Sequence, residues 1–308
     1  MIAENKFSKI VALWKEDKKQ YVKRSTFAAY TLLIENHILP SFGEMALVEE
    51  QDVQTFVFRK LNEGLSHKTI KDILIVLKMI LRFGAKNQMT EYRQIDIKFP
   101  TERDKHSIDI LNRSHQKQIM EYIRLHFTFK NLGIYICLSA GMRIGEICAL
   151  TWDDLDVENG IIHVRKTIQR IYVIEEHRKY TEVILDTPKT KNSIREIPMT
   201  KNLLKMIRPI KKIVNGNFYV LTNEPKPTEP RTYRNYYKQF MQSLGLPLIK
   251  FHGLRHSFAT RCIESKCDYK TVSVLLGHSN ISTTLNLYVH PNLEQKKRCI
   301  ERMQNALK

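Results

Sequence analysis

One amphipathic segment constrains the fold of this chain most strongly, residues 67–86 with the sequence "HKTIKDILIVLKMILRFGAK". Its apolar residues recur at the spacing of an α-helix, so they gather on one face. The opposite face collects the basic residues Lys68, Lys71, Lys78, Arg82 and Lys86. Ser66 is a suitable N-cap. Such a helix packs on a core with one face and is suited to contact phosphates with the other.

A domain boundary is predicted where this kind of periodicity ends. The segment "STFAAYTLLIENHIL" predicts an earlier helix that begins at Ser25 and stops near Pro40, because proline disfavours continuation of a helix. Charged residues and Pro100 replace the apolar pattern in residues 95–107. We therefore predict a helical domain over residues 1–100 and a second domain over residues 106–308.

The second domain combines helices with short strands. "NLGIYICLSAGMRIGEICALTW" predicts two helices separated at Gly141, and helices return after residue 200. The runs "GIIHVRKTIQRIYVI" and "TEVILDTPKTKNSIREIPM" are typical of strands, with "TKNS" between Lys189 and Arg195 as a hairpin turn. The predicted fold class is mainly α with a small antiparallel β-sheet, as a helical first domain and an α+β second domain.

Charge indicates the kind of partner. The 308 residues include 50 Lys and Arg against 32 Asp and Glu, a formal net charge of +18, which favours a polyanion. No apolar run approaches the roughly 18 residues that span a bilayer, and no signal peptide is recognised. The five cysteines are scattered without a CxxC pair, which is typical of reduced thiols. We expect a cytoplasmic protein that binds nucleic acid and no membrane.

Four separated segments hold residues whose chemistry fits the cleavage of a phosphodiester. They are "GMRIGE" with Arg143 and Glu146, "TPKTKNSIRE" with Lys189, "HGLRH" with His252 and Arg255, and "LLGHSNISTTLNLYVHP" with His278 and Tyr288. Attack on phosphorus adds negative charge to the non-bridging oxygens, which two arginine forks can hold. A tyrosine hydroxyl can attack, a lysine can protonate the leaving oxygen, and histidines that titrate near neutral pH can exchange protons.

Three of these segments resemble the signature boxes of the tyrosine recombinase, or phage integrase, family: "GMRIGEICALTWDD", "HGLRHSFAT" and "LLGHSNISTTLNLY". The resemblance covers nearly the whole chain. It implies a core-binding domain and a catalytic domain that clamp DNA, and strand exchange through a 3′-phosphotyrosine without a cofactor. The implied roles are phosphate binding for Arg143 and Arg255, active-site histidines His252 and His278, general acid Lys189, nucleophile Tyr288, and acidic support of the arginines by Glu146.

Two alternatives stay open within the site. Lys191 follows Lys189 by two residues, and on a strand both side chains would point the same way. The resemblance favours Lys189 as the general acid. A zinc site would use His252, His256 and His278 with Cys262 and Cys267, but Arg255 lies between the first two histidines and the cysteines lack ligand spacing. We therefore predict no metal.

The resemblance also implies the partners and leaves the biological role open. The expected partners are double-stranded DNA and three further copies, as a homotetramer in the synaptic complex, with accessory DNA-bending or directionality proteins as further candidates. Integration or excision of a mobile element is the preferred role. The alternatives are a recombinase that resolves chromosome dimers, a topoisomerase-like enzyme and a non-catalytic DNA-binding relative. The segment "LEQKKRCIERMQNALK" predicts a C-terminal helix, and the resemblance implies that it docks on a neighbouring protomer; packing on its own domain is the alternative.

Overall fold

The computed structural model describes residues 6–91, 94–101, 109–175, 178–188, 191–288, 293–305 and 307. The chain divides into two compact units, Met1–Lys105 with Ile171–Glu182 and His106–Arg170 with Val183–Lys308. Helices dominate both, and strands are few, so the predicted fold class is confirmed. No helix in the described ranges is long and apolar enough to cross a membrane.

The first unit is built on the amphipathic helix that the sequence predicts. Its helices are α1 (Phe7–Lys19), α2 (Arg24–Leu33), α3 (Leu39–Phe42), α4 (Glu50–Asn62) and α5 (His67–Lys86). The Ser66 hydroxyl accepts a hydrogen bond of 3.1 Å from the backbone N–H of Thr69, which confirms Ser66 as the N-cap of α5. The predicted apolar face is also confirmed, because the following side chains are buried: Ile70, Ile73, Leu74, Leu77, Ile80 and Leu81.

The helical run ends at Phe42, two residues after Pro40 and just before Gly43, which agrees with the predicted stop near Pro40. A π-helical turn, Ile34–Ile38, joins α2 to α3 without a break. Proline in an ordinary helix removes one N–H donor and presses on the carbonyl four residues earlier. The wider winding of a π turn ahead of Pro40 changes that hydrogen-bond pattern and accommodates the ring.

The second unit contains a three-stranded antiparallel sheet and most of the helices. The sheet has the order β1-β2-β5, with β1 (Leu155–Asp156), β2 (Ile161–Val164) and β5 (Arg195–Pro198), and Ile162 faces Ile197 in the register. Strands β3 (Thr167–Glu175) and β4 (Arg178–Asp186) pair separately. Among the described strands "TKNS" therefore closes no hairpin. Strand β4 belongs to the sheet with β3, and β5 belongs to the sheet with β2. The segment Lys191–Ser193, between β4 and β5, forms a 3₁₀ turn.

Helices α7, α11 and α12 position the candidate site in the second unit. Helix α7 is buried along nearly its whole length, and α11 packs beside it and against α12. This arrangement brings the end of α7, the start of α11 and the end of α12 close together. The helices of the unit are α6 (Arg113–Leu125), α7 (Phe129–Ala140), α8 (Ile144–Ala149), α9 (Lys201–Lys211), α10 (Pro230–Ser243), α11 (His252–Glu264), α12 (Tyr269–Leu276), α13 (Ile281–Tyr288) and α14 (Leu293–Asn305).

Candidate active site

Arg143 begins helix α8 directly after a tight reversal of the chain. Gly141 ends α7 in the left-handed region, with φ of +62°, which glycine adopts without steric cost. A Cβ at this position would lie 2.5 Å from Cδ1 of Phe258. The reversal depends on this glycine and places Arg143 at the N-cap position of α8.

The carboxylate of Glu146 connects Arg143 to a second arginine. It accepts hydrogen bonds from the backbone N–H of Arg143 at 2.8 Å and from Nη1 of Arg143 at 2.7 Å. Nη1 and Nη2 of Arg195 donate to its two oxygens, each at 3.0 Å. Burial opposes ionisation of Glu146, but the hydrogen bonds and charges of Arg195 and Arg143 outweigh it and lower the pKa of the carboxyl. Glu146 is therefore an ionised support shared by two guanidinium groups.

Arg195 is the site residue that sequence reasoning missed. It begins β5, where exposed and buried residues alternate, and it lies on the buried side with Ile197. Its side chain is 4% exposed. The pattern in "REIP" contains the signal, because a strand residue two positions before a core isoleucine faces the same way. An inward-facing arginine requires a carboxylate partner, which Glu146 supplies.

Three arginines bind three successive carbonyl groups at the end of α12. Nε of Arg195 donates to the carbonyl of Leu275 at 2.6 Å, and Nη2 of Arg255 donates to that of Leu276 at 2.6 Å. Nη2 of Arg143 donates to the carbonyl of Gly277 at 3.1 Å. The last carbonyls of a helix lack intrahelical partners and carry partial negative charge, so they suit cations. The C-terminal end of α12 is thus a common anchor for the arginine cluster.

His278 lies immediately after this anchor. Its Nδ1 shares a hydrogen bond of 2.9 Å with the Thr284 hydroxyl, which is fully buried in α13. Burial and the charges of Arg255, Arg143 and Arg195 lower the pKa of His278 to about 4. At neutral pH the ring is uncharged, so the expectation that it titrates near neutral pH is wrong for the protein without DNA.

His252 begins α11 beside a second histidine. The rings of His252 and His256 pack edge to face with centroids 4.6 Å apart. Burial of the ring, together with the positive charges of His256, Arg255 and Arg143, lowers the pKa of His252 to about 4. The structure therefore brings Arg143, Arg255, His252 and His278 into one electrostatically coupled cluster.

A cavity of about 350 Å³ opens on this cluster. Arg143, Glu146 and His278 line it, and so does Pro188. Lys189 follows Pro188 in the sequence and lies outside the described residues. Lys191 begins a 3₁₀ turn, not a strand, so the argument that both lysines share one strand face does not apply.

Tyr288 is the last residue of helix α13, and its side chain lies outside the part of the chain that the structure describes. The helix itself is tied to the site because Thr284, one turn earlier, bonds to His278. The backbone at Tyr288 is therefore carried by an element that is anchored beside the arginine cluster.

The predicted basic face of α5 lies in the first unit. Lys68, Lys71, Arg82 and Lys86 are exposed, and Lys78 is half-buried. The ammonium group of Lys71 lies 5.2 Å from the ring centre of Phe99. Because α5 buries its other face in the core, the basic face is presented to the surface.

Comparison with known proteins gives one consistent family. Residues 109–295 match the phage integrase family, and residues 6–60 match the phage integrase N-terminal SAM-like domain. The "Tyrosine recombinase XerC-like" protein of Caldanaerobacter subterraneus subsp. tengcongensis is 31% identical, covering 92% of this chain and 78% of the relative.

Solved structures share the fold at lower identity. The Tn1549 transposon integrase in complex with transposon right end DNA is 23% identical with a TM-score of 0.77, covering 97% of this chain and 100% of that chain. A lambda integrase tetramer bound to a Holliday junction is 16% identical with a TM-score of 0.62, covering 94% and 80%.

Replacing Glu146 with glutamine should destabilise the second unit. Losing the charge leaves Arg195 buried without an anion, so we expect Glu146→Gln to lower the free energy of unfolding by about 3–5 kcal/mol at pH 7. The pKa of Glu146 lies below its ordinary value of 4.5, so its contribution is complete above that pH and is lost as pH falls through the folded pKa. Urea denaturation should therefore show the two proteins converging under acidic conditions.

Glu264 provides a matched control, because it also bonds to two arginines, Arg113 and Arg261, but at the exposed surface. We expect Glu264→Gln to cost less than about 1 kcal/mol. Equal losses for the two substitutions would contradict a special role for the buried carboxylate.

Proposed function

This chain belongs to the phage integrase family and is a tyrosine-type site-specific recombinase, and we propose that it cuts and rejoins DNA through a 3′-phosphotyrosine intermediate. The observation that carries the proposal is the joint anchoring of Arg143, Arg255 and His278 at the end of α12. The anchor fixes two guanidinium groups and an imidazole around one small volume, which is what a phosphate in transfer requires.

Tyr288 is the proposed nucleophile. Its hydroxyl oxygen attacks the scissile phosphorus, the bond from phosphorus to the 5′-oxygen breaks, and the phenolic proton passes to a base of the site. The 5′-oxygen takes a proton from Lys189 or Lys191. The phosphodiester energy is kept in the tyrosyl ester, so attack by another 5′-hydroxyl reseals the strand without ATP.

Arg143 and Arg255 are the proposed phosphate ligands. Arg143 leaves 34% of its side chain exposed, whereas Arg255 is only 2% exposed. In this structure Arg143 therefore offers more accessible side-chain surface, and Arg255 contributes positive charge close to it. Fixed charges of this kind stabilise the transition state without reorganising during the reaction.

His252 and His278 are proposed to act once the phosphate is bound. Their pKa values near 4 keep both rings neutral in the protein without DNA. A phosphate beside them stabilises imidazolium and raises both pKa values. Neutral imidazoles accept protons or hydrogen bonds at the start of the reaction, and DNA moves them toward the range where proton exchange is effective.

Double-stranded DNA is the proposed substrate, held by both domains. We assign DNA binding to residues 1–100 and chemistry to residues 106–308. The exposed basic face of α5 supports the first assignment, since Lys and Arg contacts to phosphates supply most sequence-independent affinity. The DNA-bound state of the Tn1549 integrase, which shares this fold, agrees with it.

Integration or excision of a mobile element is the proposed role. The structural likeness to a transposon integrase along nearly the whole chain supports it. Resolution of chromosome dimers is the second candidate, favoured by the 31% identity to a XerC-like protein. DNA carrying the joined ends of an element is a substrate only in the first case, so it distinguishes the two roles.

A homotetramer on two DNA sites is the proposed active assembly, as in the lambda integrase complex of the same fold. Helix α14 agrees with this assembly, because Ile300 and Met303 are exposed three residues apart. Docking of α14 on a neighbouring protomer would cover them. The side chains of Leu293 and Cys299, which the sequence also places near that face, lie outside the described part.

A nicked suicide substrate made from the DNA flanking the gene tests the nucleophile. Loss of the short fragment beyond the nick prevents resealing, so the wild type should accumulate as a covalent DNA complex. Tyr288→Phe should form none, and Tyr269→Phe, on the exposed surface of α12, should react like the wild type. A covalent link mapped to another tyrosine by peptide sequencing would overturn the assignment.

The two lysines can be separated on the same substrate. We expect Lys189→Ala to slow attachment by about 10²–10⁴-fold, since it removes the general acid, and Lys191→Ala to have a small effect. Sulfur in place of the 5′-bridging oxygen makes a leaving group that needs no proton and should restore the rate of the variant that lacks the acid. Rescue of Lys191→Ala instead would assign the role to Lys191.

The basic face of α5 should show in the salt dependence of DNA binding. Each lost phosphate contact reduces the magnitude of the negative slope of log affinity against log salt by about 0.9, so Lys68→Ala with Lys71→Ala should reduce that magnitude by about 1.8. Lys18→Ala with Lys19→Ala, in the last turn of α1 of the same unit, is the control. Equal slopes for both double variants, measured by fluorescence anisotropy, would reject this DNA-binding face.

A further inference from the structure

Arg195 contacts three separate parts of the active site while remaining away from solvent. Its guanidinium donates to both oxygens of Glu146, and Nη1 also donates to the carbonyl of Ser193 at 3.1 Å. Nε donates to the carbonyl of Leu275 at 2.6 Å. Because Glu146, Ser193 and Leu275 engage Nε, Nη1 and Nη2 of Arg195, we assign its effect on the reaction to the groups that it holds.

Those groups carry the proposed phosphate ligands. Glu146 fixes the backbone and guanidinium of Arg143. Leu275 precedes the two carbonyls that bind Arg255 and Arg143. A Cβ on Gly277, the residue before His278, would lie 3.1 Å from Cδ of Arg195, so Arg195 also packs against this turn.

We propose that Arg195 is a positioning residue for strand cleavage, which locks Glu146 to the end of α12 and thereby aims Arg143 and His278 at one phosphate. The inference rests on the proposed function. The positioning role requires a planar side chain with several donors, because Arg195 binds two oxygens of one carboxylate and two carbonyls on different segments at once. Lysine, with a single ammonium centre, cannot reproduce this geometry.

The substitution of Arg195 should alter the rate of covalent attachment and its pH dependence. We expect Arg195→Lys and Arg195→Met to slow single-turnover attachment by about 10–10²-fold, below the 10²–10³-fold typical of a lost direct donor. DNA affinity should change less than about threefold. In Arg195→Met, Glu146 loses its principal partner, so its pKa rises and an additional loss of rate should appear as pH falls from 7 to 5.

Two controls separate positioning from simple folding. Arg261→Met removes an arginine of the same unit that binds a carboxylate and the carbonyl of Leu111, outside the site. It should keep the wild-type rate and pH profile. In a Glu146→Gln background, Arg195→Met should add a smaller acid-side loss, because Glu146 no longer titrates and only His278, whose pKa the charge of Arg195 also lowers, still responds. Circular dichroism establishes which variants are folded, and Arg195→Lys carries the test if Arg195→Met unfolds.

The outcomes distinguish this inference from the proposed function. Failure of the wild type to form a Tyr288-dependent adduct would reject the proposed function itself. With a reactive wild type, the positioning role is overturned if folded Arg195 variants match Arg261→Met in rate and pH profile. It is also overturned if Arg195→Met adds the same acid-side loss in the Glu146→Gln background as it does in the wild-type background.

Discussion

The ion pair between Glu146 and Arg195 is the contact on which the candidate site depends. It joins a helix start to a strand start, and through Arg143 and Leu275 it reaches the end of α12. One carboxylate against Arg143, Arg195 and Arg255 leaves net positive charge in a poorly solvated place. Such an arrangement costs stability in the free protein, and a bound phosphate offsets the cost. Stability and affinity for an anion are therefore linked by the same few side chains.

Local patterns in the sequence predict much of this structure, and non-local pairing explains what they miss. The buried face of α5 and its N-cap at Ser66 follow from spacing within one helix. Arg143, His252, Arg255 and His278 could be chosen because phosphate chemistry needs their functional groups. Strand β5 pairs with β2, which lies much earlier in the chain, and not with the preceding strand β4, so "TKNS" was misinterpreted as a hairpin turn. The π turn ahead of Pro40 is a feature that residue preferences do not reveal.

The electrostatics of the site show why residue type alone does not predict protonation. Histidine ordinarily titrates near neutral pH, yet burial and neighbouring arginines hold His252 and His278 neutral. The sequence shows which arginines are present, but not that they lie close to these two histidines. Arg195 shows the same limit of a sequence-based prediction. Its place on the same strand face as Ile197 is a local feature, whereas the carboxylate that makes its burial tolerable is 49 residues away.

The end of α12 acts as a fixed reference point for segments that are remote in the chain. Arg143 reaches it across 134 residues, Arg195 across 80 and Arg255 across 21. Because each arginine is located by a carbonyl of the same turn, the geometry of the cluster does not depend on the lengths of the loops between these segments. Insertions in such loops cost little conformational free energy, roughly 0.6 kcal/mol for each doubling of length. The chemistry of this scaffold is therefore insulated from changes in loop length, which leaves its surface free to diversify toward new DNA sites.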